Sequence, residues 1–219
     1  MSKKAVIFDL DGTLVNSLQD LADAVNHTMQ TLGRPVHELS QYRYLVGQGL
    51  RRLIYDALGG DGSAEHDALT DRGIEIFHMY YDVHQFDHTD VYTGVSELLD
   101  VLTEHKVRLC VLSNKPHDAT TNITKRLLGR WPFEIVCGHR EGMPAKPNPA
   151  SAMKIIEELG LEPNDCVYVG DSKVDMLTGK SAGMFTVGVT WGFRDREELQ
   201  QNGADQLIDQ PMELLDFLD

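Results

Sequence analysis

The sequence predicts an α/β protein, a doubly wound parallel sheet with an α-helical cap domain inserted near its start. Three observations predict it. Short runs that are apolar on both faces recur along the chain, as strands buried within a parallel sheet require. Segments of helical periodicity fill the gaps between the later runs. Nearly a hundred residues with little strand character separate the first apolar run from the second.

The first strand is Ala5-Val6-Ile7-Phe8. Leu18, Leu21, Val25, Met29 and Leu32 then mark an amphipathic helix, opened by Ser17 with Asp20 three residues on, close to a capping box. Leu50, Leu53, Ile54, Ala57 and Leu58 mark a second helix, stopped by Gly59-Gly60, and Leu69, Ile76, Phe77 and Tyr80 a longer third. Residues 17–87 are therefore expected as the helical cap, with 1–16 and 88–219 as the core. An insertion after the first strand overhangs the carboxyl edge of the sheet, where doubly wound folds bind ligands, and is a lid by position. Beyond it, Val95, Leu98, Leu99 and Leu102 mark a helix, Val107–Leu112 the second strand and Phe133–Cys137 the third. Ala152, Ile155, Ile156 and Leu159 mark the next helix, with Asn148 as N-cap, Pro149 at the first helical position and Gly160 as the stop. Cys166–Val169, Met184–Val189 and a weaker run at Gln206–Ile208 complete the Rossmann-like core.

Composition narrows the function. The chain has 219 residues, 42% of them apolar, which suffices for one medium domain or a core with a smaller insertion. Its net charge of −14, from 34 acids against 20 bases, would repel a nucleic acid. No apolar run approaches the roughly 18 residues that a bilayer span needs, and the start reaches acids too early for a signal peptide. The expectation is a cytoplasmic protein, monomeric or weakly dimeric, with neither a membrane nor a nucleic-acid partner. Cys110, Cys137 and Cys166 are an odd count without metal-type spacing, each in a strand-like run, and read as buried reduced thiols.

The residues that carry chemistry sit at strand ends. Asp9-Leu10-Asp11-Gly12-Thr13 follows the first strand, Ser113-Asn114 the second and Gly170-Asp171-Ser172 the fourth, with Lys146 between the third strand and the next helix. In a parallel sheet those ends share one edge, so the side chains can converge. Asp9, Asp11, Asp171 and Asp175 then crowd carboxylates into one crevice, where two unit charges about 4 Å apart cost about 4 kcal/mol at an effective dielectric of about 20. Such a cluster calls for a cation, and an all-oxygen donor set favours Mg²⁺ over zinc. The ion and Lys146 would draw phosphate, with the Ser113 hydroxyl and the amides of the Gly12 loop as donors. An ionised Asp9 can attack phosphorus in line, while Asp11 can protonate the leaving oxygen and later deprotonate the attacking water. Singly, each element has a plainer reading: Asp171 as a cap, Ser113-Asn114 as an ordinary loop, Lys146 as a solvated lysine. Asp-x-Asp-Gly-Thr behind an all-apolar strand is sharper, and a purely structural reading leaves the joint order unexplained.

These segments resemble the signatures of the haloacid dehalogenase superfamily of phosphohydrolases, from the first strand to about Val189: Asp9-Leu-Asp-Gly-Thr-Leu-Val15, Leu112-Ser-Asn114, Lys146-Pro-Asn-Pro149 and Gly170-Asp-Ser-Lys-Val-Asp175. The resemblance implies Asp9 as nucleophile, Asp11 as acid and base, and Ser113 with Lys146 holding the transferring phosphoryl group. It implies Mg²⁺ on Asp171, the Asp9 carboxylate and the Asp11 carbonyl, with Asp175 supporting the metal through water or orienting Lys146. Gly12, Thr13 and Asn114 are expected to line the phosphate. The acid at Asp11 points away from dehalogenases, and the lack of any lysine in residues 17–87 points away from Schiff-base phosphonate hydrolases. The nearest resemblance is to phosphoglycolate phosphatases. Tyr44-Leu-Val-Gly-Gln-Gly-Leu50 is similar to their cap substrate loop, making Gly47 and Gln48 substrate-binding candidates, and Tyr80-Tyr-x-x-His84 through Thr89-x-Val-Tyr-Thr-Gly-Val95 is similar to their cap exit. Val91 and Thr93 stand where that group commonly has proline, and Gly179 where alanine or asparagine is usual. Related pyrophosphatases and sugar-phosphate phosphatases share much of the pattern.

For a phosphorylated small acid, Arg43 or Arg51, flanking the Gly47-Gln48-Gly49 turn, could pair with the carboxylate, against the alternative of solvated surface arginines. His78, His84 and His88 with Asp82 and Asp87 lack the spacing to share one helical face and read as a hydrated linker. Trp131 and Trp191 read as packing residues. The expected activity is Mg²⁺-dependent hydrolysis of a small phosphorylated metabolite, phosphoglycolate first. The alternatives are a phosphomutase of the β-phosphoglucomutase kind, a phospho-acceptor module and a non-catalytic binding relative.

Overall fold

The structure, a computed structural model, describes residues 3–218. Its order is β1 (Ala5–Phe8), β2 (Val15–Asn16), α1 (Leu18–Thr31), α2 (Leu39–Leu45), α3 (Leu50–Ala57), α4 (Ala64–His84), β3 (Asp90–Val91), α5 (Val95–Glu104), β4 (Arg108–Pro116), α6 (His117–Leu127), β5 (Phe133–His139), α7 (Ala150–Leu159), β6 (Cys166–Gly170), α8 (Lys173–Ser181), β7 (Phe185–Val189), α9 (Arg196–Gln201) and β8 (Gln206–Ile208). Six strands form one sheet in the order β5-β4-β1-β6-β7-β8, every pair parallel. The doubly wound α/β fold is thus present. β1 is central because it is apolar on both faces: Val6 and Phe8 enter one hydrophobic cluster with α5, Ala5 and Ile7 another with α7. From β1 the chain builds outward first through β4 and β5, then on the other side through β6, β7 and β8. The switch point therefore lies where the carboxyl ends of β1, β4 and β6 open a crevice.

Helices α1 to α4 lie between β2 and β3 and have a hydrophobic cluster of their own, including Leu21, Val25, Met29, Tyr42, Leu53, Ile54 and Phe77. The helix α2 was not foreseen; its stretch is short and amphipathic periodicity needs more turns to be visible. On α4 the buried stripe is His66, Thr70, Gly73, Phe77 and Tyr81 rather than Leu69, Ile76 and Tyr80. Gly73 explains the shift, since a Cβ there would stand 2.7 Å from Ile54 Cγ2, so α4 can approach α3 closely only with glycine on the facing stripe. Two crossings join this insertion to the sheet, and they pair as an antiparallel ladder, Val15 with Val91 and Asn16 with Asp90.

Two local expectations are corrected. Ser17 precedes α1 but its side chain makes no cap, and Asp20 does not reach back to it. Instead Asp20 is buried and accepts from His88 N (2.9 Å), Thr89 N (2.8 Å) and Thr89 Oγ1 (2.6 Å), binding the start of the insertion to its exit. Pro149 is the residue before α7, and Asn148 Oδ1 accepts from Ala150 N at 2.9 Å, one position later than expected. Trp131 and Trp191 pack in and against the main hydrophobic cluster as expected, and their Nε1 groups also donate to Asp100 Oδ1 and to the Thr13 carbonyl. The three cysteines are free, and burial pushes the Cys110 thiol up to about 12 and Cys166 to about 11. Among the described residues no helix is long and apolar enough to cross a membrane.

Candidate active site

Asp9 is the first residue past β1, and its amide donates to Val169 O at 2.9 Å, which keeps the loop in register with β6. Its Oδ1 accepts from Leu10 N (2.7 Å) and lies 2.9 Å from Lys146 Nζ. Lys146 comes from the loop after β5, and its amide donates to Asn114 Oδ1 at 2.8 Å. The same ammonium donates to Asp175 Oδ1 at 2.7 Å, and Asp175 Oδ2 accepts from Ser172 N (3.1 Å) and Oγ (2.6 Å) at the start of α8. Asp171 follows β6; its Oδ2 accepts from Phe193 N at 2.7 Å. Carboxylate oxygens of Asp9, Asp171 and Asp175 lie within 4.8 Å of one another, all three buried. The convergence inferred from topology is present.

Burial, reinforced by Asp175, raises the Asp9 carboxyl to about 7 against the pull of Lys146. Burial also pushes Asp171 well above the carboxylate range, with Asp175 and Asp9 adding to it. For Lys146, burial works against the charged form, but Asp175 and Asp9 outweigh it and the ammonium is held well above its ordinary value. Lys146 is the one ammonium in contact with these three acids among the described residues, so all three cannot be ionised together without a further cation beside them. Asp9 Oδ2 and Asp171 Oδ1 accept no hydrogen bond among the described residues. A divalent cation on oxygen ligands fits that arrangement in charge and donor type. The glycines around it are tied to Asp171. Gly12 has φ of 89° and a Cβ there would fall 2.2 Å from Asp171 Oδ2; one on Gly192 would fall 2.3 Å from Asp171 Cβ.

Asp11 points to different partners. Its Oδ1 accepts from Ser17 Oγ at 2.5 Å and from Lys115 Nζ at 3.1 Å, and Oδ2 from the same ammonium at 3.2 Å. Lys115 is buried and stays cationic: burial lowers its proton affinity, but Asp11 and Tyr81 raise it further. One cavity beneath the insertion is lined by Asp9, Asp11, Ser113, Lys115, Asp171 and Arg194, with Leu21, Leu53 and Phe77 as apolar wall.

Several expected site residues do something else. Ser113 and Asn114 lie within β4, which runs to Pro116, rather than after the strand. Ser113 lines the cavity and its Oγ accepts from Lys115 N at 3.2 Å. Asn114 also lines it, but its amide is engaged as a staple, donating at 3.0 Å to Gly47 O of the cap and at 3.0 Å to Lys146 O. The Gly12 amide donates to Val15 O and that of Thr13 to Leu10 O, which closes the turn and leaves neither for phosphate. The Thr13 hydroxyl is buried without a partner, and Thr13 does not line the cavity. Gly47 lines it while Gln48 is exposed and does not. Arg43 donates through Nε and Nη2 to Phe193 O (2.9 Å) and Gly192 O (3.0 Å), and Arg51 pairs with Asp71 and Asp67 on the surface. Neither arginine reaches the cavity, because backbone carbonyls and acids nearer to them take the guanidinium. Of the linker histidines, His84 pairs with Asp87 at 2.8 Å, and His78, His84 and His88 do not form a group with one another.

Lys115, Ser17 and Arg194 were missed as site residues. Lys115 follows Ser113-Asn114 directly and carried a legible signal, a cation in the polar end of a strand whose body, Leu109–Leu112, is apolar. Arg194 lies in a polar stretch after β7 with nothing in its spacing to single it out.

Residues 6–189 match the family model of haloacid dehalogenase-like hydrolases. Phosphoglycolate phosphatase 1 of Pseudomonas aeruginosa is 33% identical over 222 residues, covering 99% of this chain and 80% of the relative. The phosphoglycolate phosphatase of Chromobacterium violaceum is 33% identical over 216 residues, covering 98% and 96%. Among solved structures, a predicted phosphoglycolate phosphatase from Haemophilus somnus superposes with a TM-score of 0.88 at 26% identity, covering 100% of this chain and 99% of that one.

Proposed function

The chain belongs to the haloacid dehalogenase-like hydrolases, and from that premise we propose that it is a phosphomonoesterase of a small phosphorylated metabolite, 2-phosphoglycolate first, acting through an aspartyl-phosphate on Asp9. The observation that carries the reading is the Lys146 ammonium, 2.9 Å from Asp9 Oδ1 and 2.7 Å from Asp175 Oδ1 in a buried crevice. It supplies fixed positive charge beside the nucleophile, and Asp175, whose carboxylate is fully engaged by Lys146 and Ser172, keeps it there. The names of the relatives support the choice of phosphoglycolate.

In this reading Asp9 Oδ2, the oxygen without a partner, attacks phosphorus opposite the ester oxygen. The P–O ester bond breaks, and Asp11 gives its proton to the departing alkoxide. Asp11 then takes a proton from water, whose oxygen attacks the phosphorus of the aspartyl-phosphate; the P–O bond to Asp9 breaks and inorganic phosphate leaves. Ser113 donates to the transferring group, Lys146 balances its charge, and Ser17 with Lys115 orients Asp11. Asp9, Asp171 and the Asp11 carbonyl would hold Mg²⁺, which when bound offsets carboxylate repulsion and withdraws charge from the phosphoryl oxygens. Residues 17–87 serve as the lid and 1–16 with 88–219 as the catalytic core.

A panel of phosphorylated metabolites with Mg²⁺, scored by kcat/KM for phosphate release, tests the proposal. Phosphoglycolate should head it. An isomerised product formed without phosphate release would mean a mutase instead.

A further inference from the structure

Arg194 is 7% exposed and lines the same cavity as Asp9, Asp11 and Ser113. Its Nη2 donates to Val46 O at 2.9 Å and Tyr44 O at 3.3 Å, and its Nε lies 3.4 Å from Glu198 Oε1. Its Nη1 is buried and has no hydrogen-bond partner. Among the described residues no other buried side-chain atom left without a partner belongs to a charged group. An unsatisfied buried donor is costly and a charged one more so, which is why native chains rarely leave one. The cost is understandable if an anion arrives there during function.

The position fits such a visitor. Phe193, the preceding residue, is fixed to Asp171 through its amide, so Arg194 is carried by a loop in register with the reaction centre. Its other guanidinium nitrogen grips carbonyls in the cap segment before Gly47, so the side chain spans core and lid. The phosphoryl end of a substrate would be served by Ser113 and Lys146, and Lys115 is already paired with Asp11. The cap arginines that the sequence offered for a second anionic group are bound elsewhere, Arg43 to Gly192 and Phe193 carbonyls and Arg51 to Asp67 and Asp71. We propose that Arg194, through Nη1, binds the second anionic group of the substrate, the carboxylate of a phosphorylated small acid, and thereby sets the preference for such acids over neutral phosphate esters. The assignment rests on the phosphomonoesterase reading of the Asp9 site.

The test separates the two. In the Asp9→Asn protein with Mg²⁺, calorimetry gives Kd for 2-phosphoglycolate and for ethyl phosphate, which lacks the carboxylate, with Arg194 intact and as Arg194→Met. The preference for phosphoglycolate should fall by about one to two orders of magnitude, as expected when a charge-assisted hydrogen bond is lost. Arg194→Lys should recover part of it, because a point charge replaces the fork. Should Arg194→Met not fold, Arg194→Gln, which can still donate to Val46 O, takes its place. An equal loss for both ligands makes Arg194 only a brace of the cap loop and overturns the assignment, as does an unchanged preference or none to begin with. Turnover by the unmutated enzyme reports separately: release of phosphate from neutral esters but not from phosphoglycolate would sink the substrate choice, while the Kd ratio still decides Arg194.

Discussion

The Ser17 hydroxyl donates to Asp11 Oδ1 at 2.5 Å, so the first residue of the helical insertion holds the candidate acid of the core. The helical insertion and the acidic crevice are joined at that bond, beside the β2–β3 ladder through which the insertion enters and leaves. Any shift of α1 against the sheet is felt at Asp11.

Ser17→Ala should therefore lower kcat about tenfold, the effect of one hydrogen bond to a charged group. KM should change little, because Ser17 does not line the cavity. Steady-state kinetics on the best ester checks this. A rise in KM at constant kcat would place Ser17 in substrate binding instead.

Asp9→Asn should move activity and stability in opposite directions. Loss of the nucleophile costs at least about 10³-fold in kcat. The neutral amide also removes one member of the buried acidic trio, in which Asp9 and Asp175 both push the Asp171 carboxyl upward. The metal-free variant should accordingly melt above the metal-free parent in a calorimetric scan. A lower melting temperature would mean that the Lys146 contact at 2.9 Å outweighs the repulsion.

These two residues also show what was legible. Asp9 could be read because an acid directly behind Ala5-Val6-Ile7-Phe8 is placed by strand logic alone, at the edge where a doubly wound sheet binds ligands. Ser17 was misread because local spacing to Asp20 mimics a capping box, whereas its partner Asp11 is set by the path of the chain around the turn. Asn114 lines the cavity as expected, yet its amide bonds reach Gly47 and Lys146, and no local pattern in the sequence marks pairings of that range. The same limit hid Arg194. Periodicity records which face of an element is buried; it does not record which loop from elsewhere supplies the acceptor.

Gly12→Ala should disable the metal site while the sheet persists. The new Cβ would sit 2.2 Å from Asp171 Oδ2 on a backbone with φ of 89°, so strain of about 1–3 kcal/mol joins a displaced carboxylate. Thermal shift with increasing Mg²⁺ should stabilise the parent and leave the variant nearly unmoved, with far-ultraviolet circular dichroism unchanged between them. Equal stabilisation of both would show that Asp171 is not a ligand.

The pH dependence of stability follows from the raised carboxyls. Burial lifts Asp9 from 3.8 to about 7 and holds Asp171 well above its ordinary range, so the metal-free folded chain keeps protons that the unfolded chain releases. Between about pH 4 and 7 the folded form binds more protons, and stability falls as pH rises through that window. The metal-free protein should thus melt higher at about pH 5 than at about pH 8. Mg²⁺ binds only the ionised carboxylates, so its stabilisation should be largest at about pH 8 and fade towards pH 5, flattening or reversing the slope. Melting curves with and without Mg²⁺ across that range decide it. A metal-free melting temperature that climbed from pH 5 to 8 would contradict a buried trio of acids balanced by one lysine.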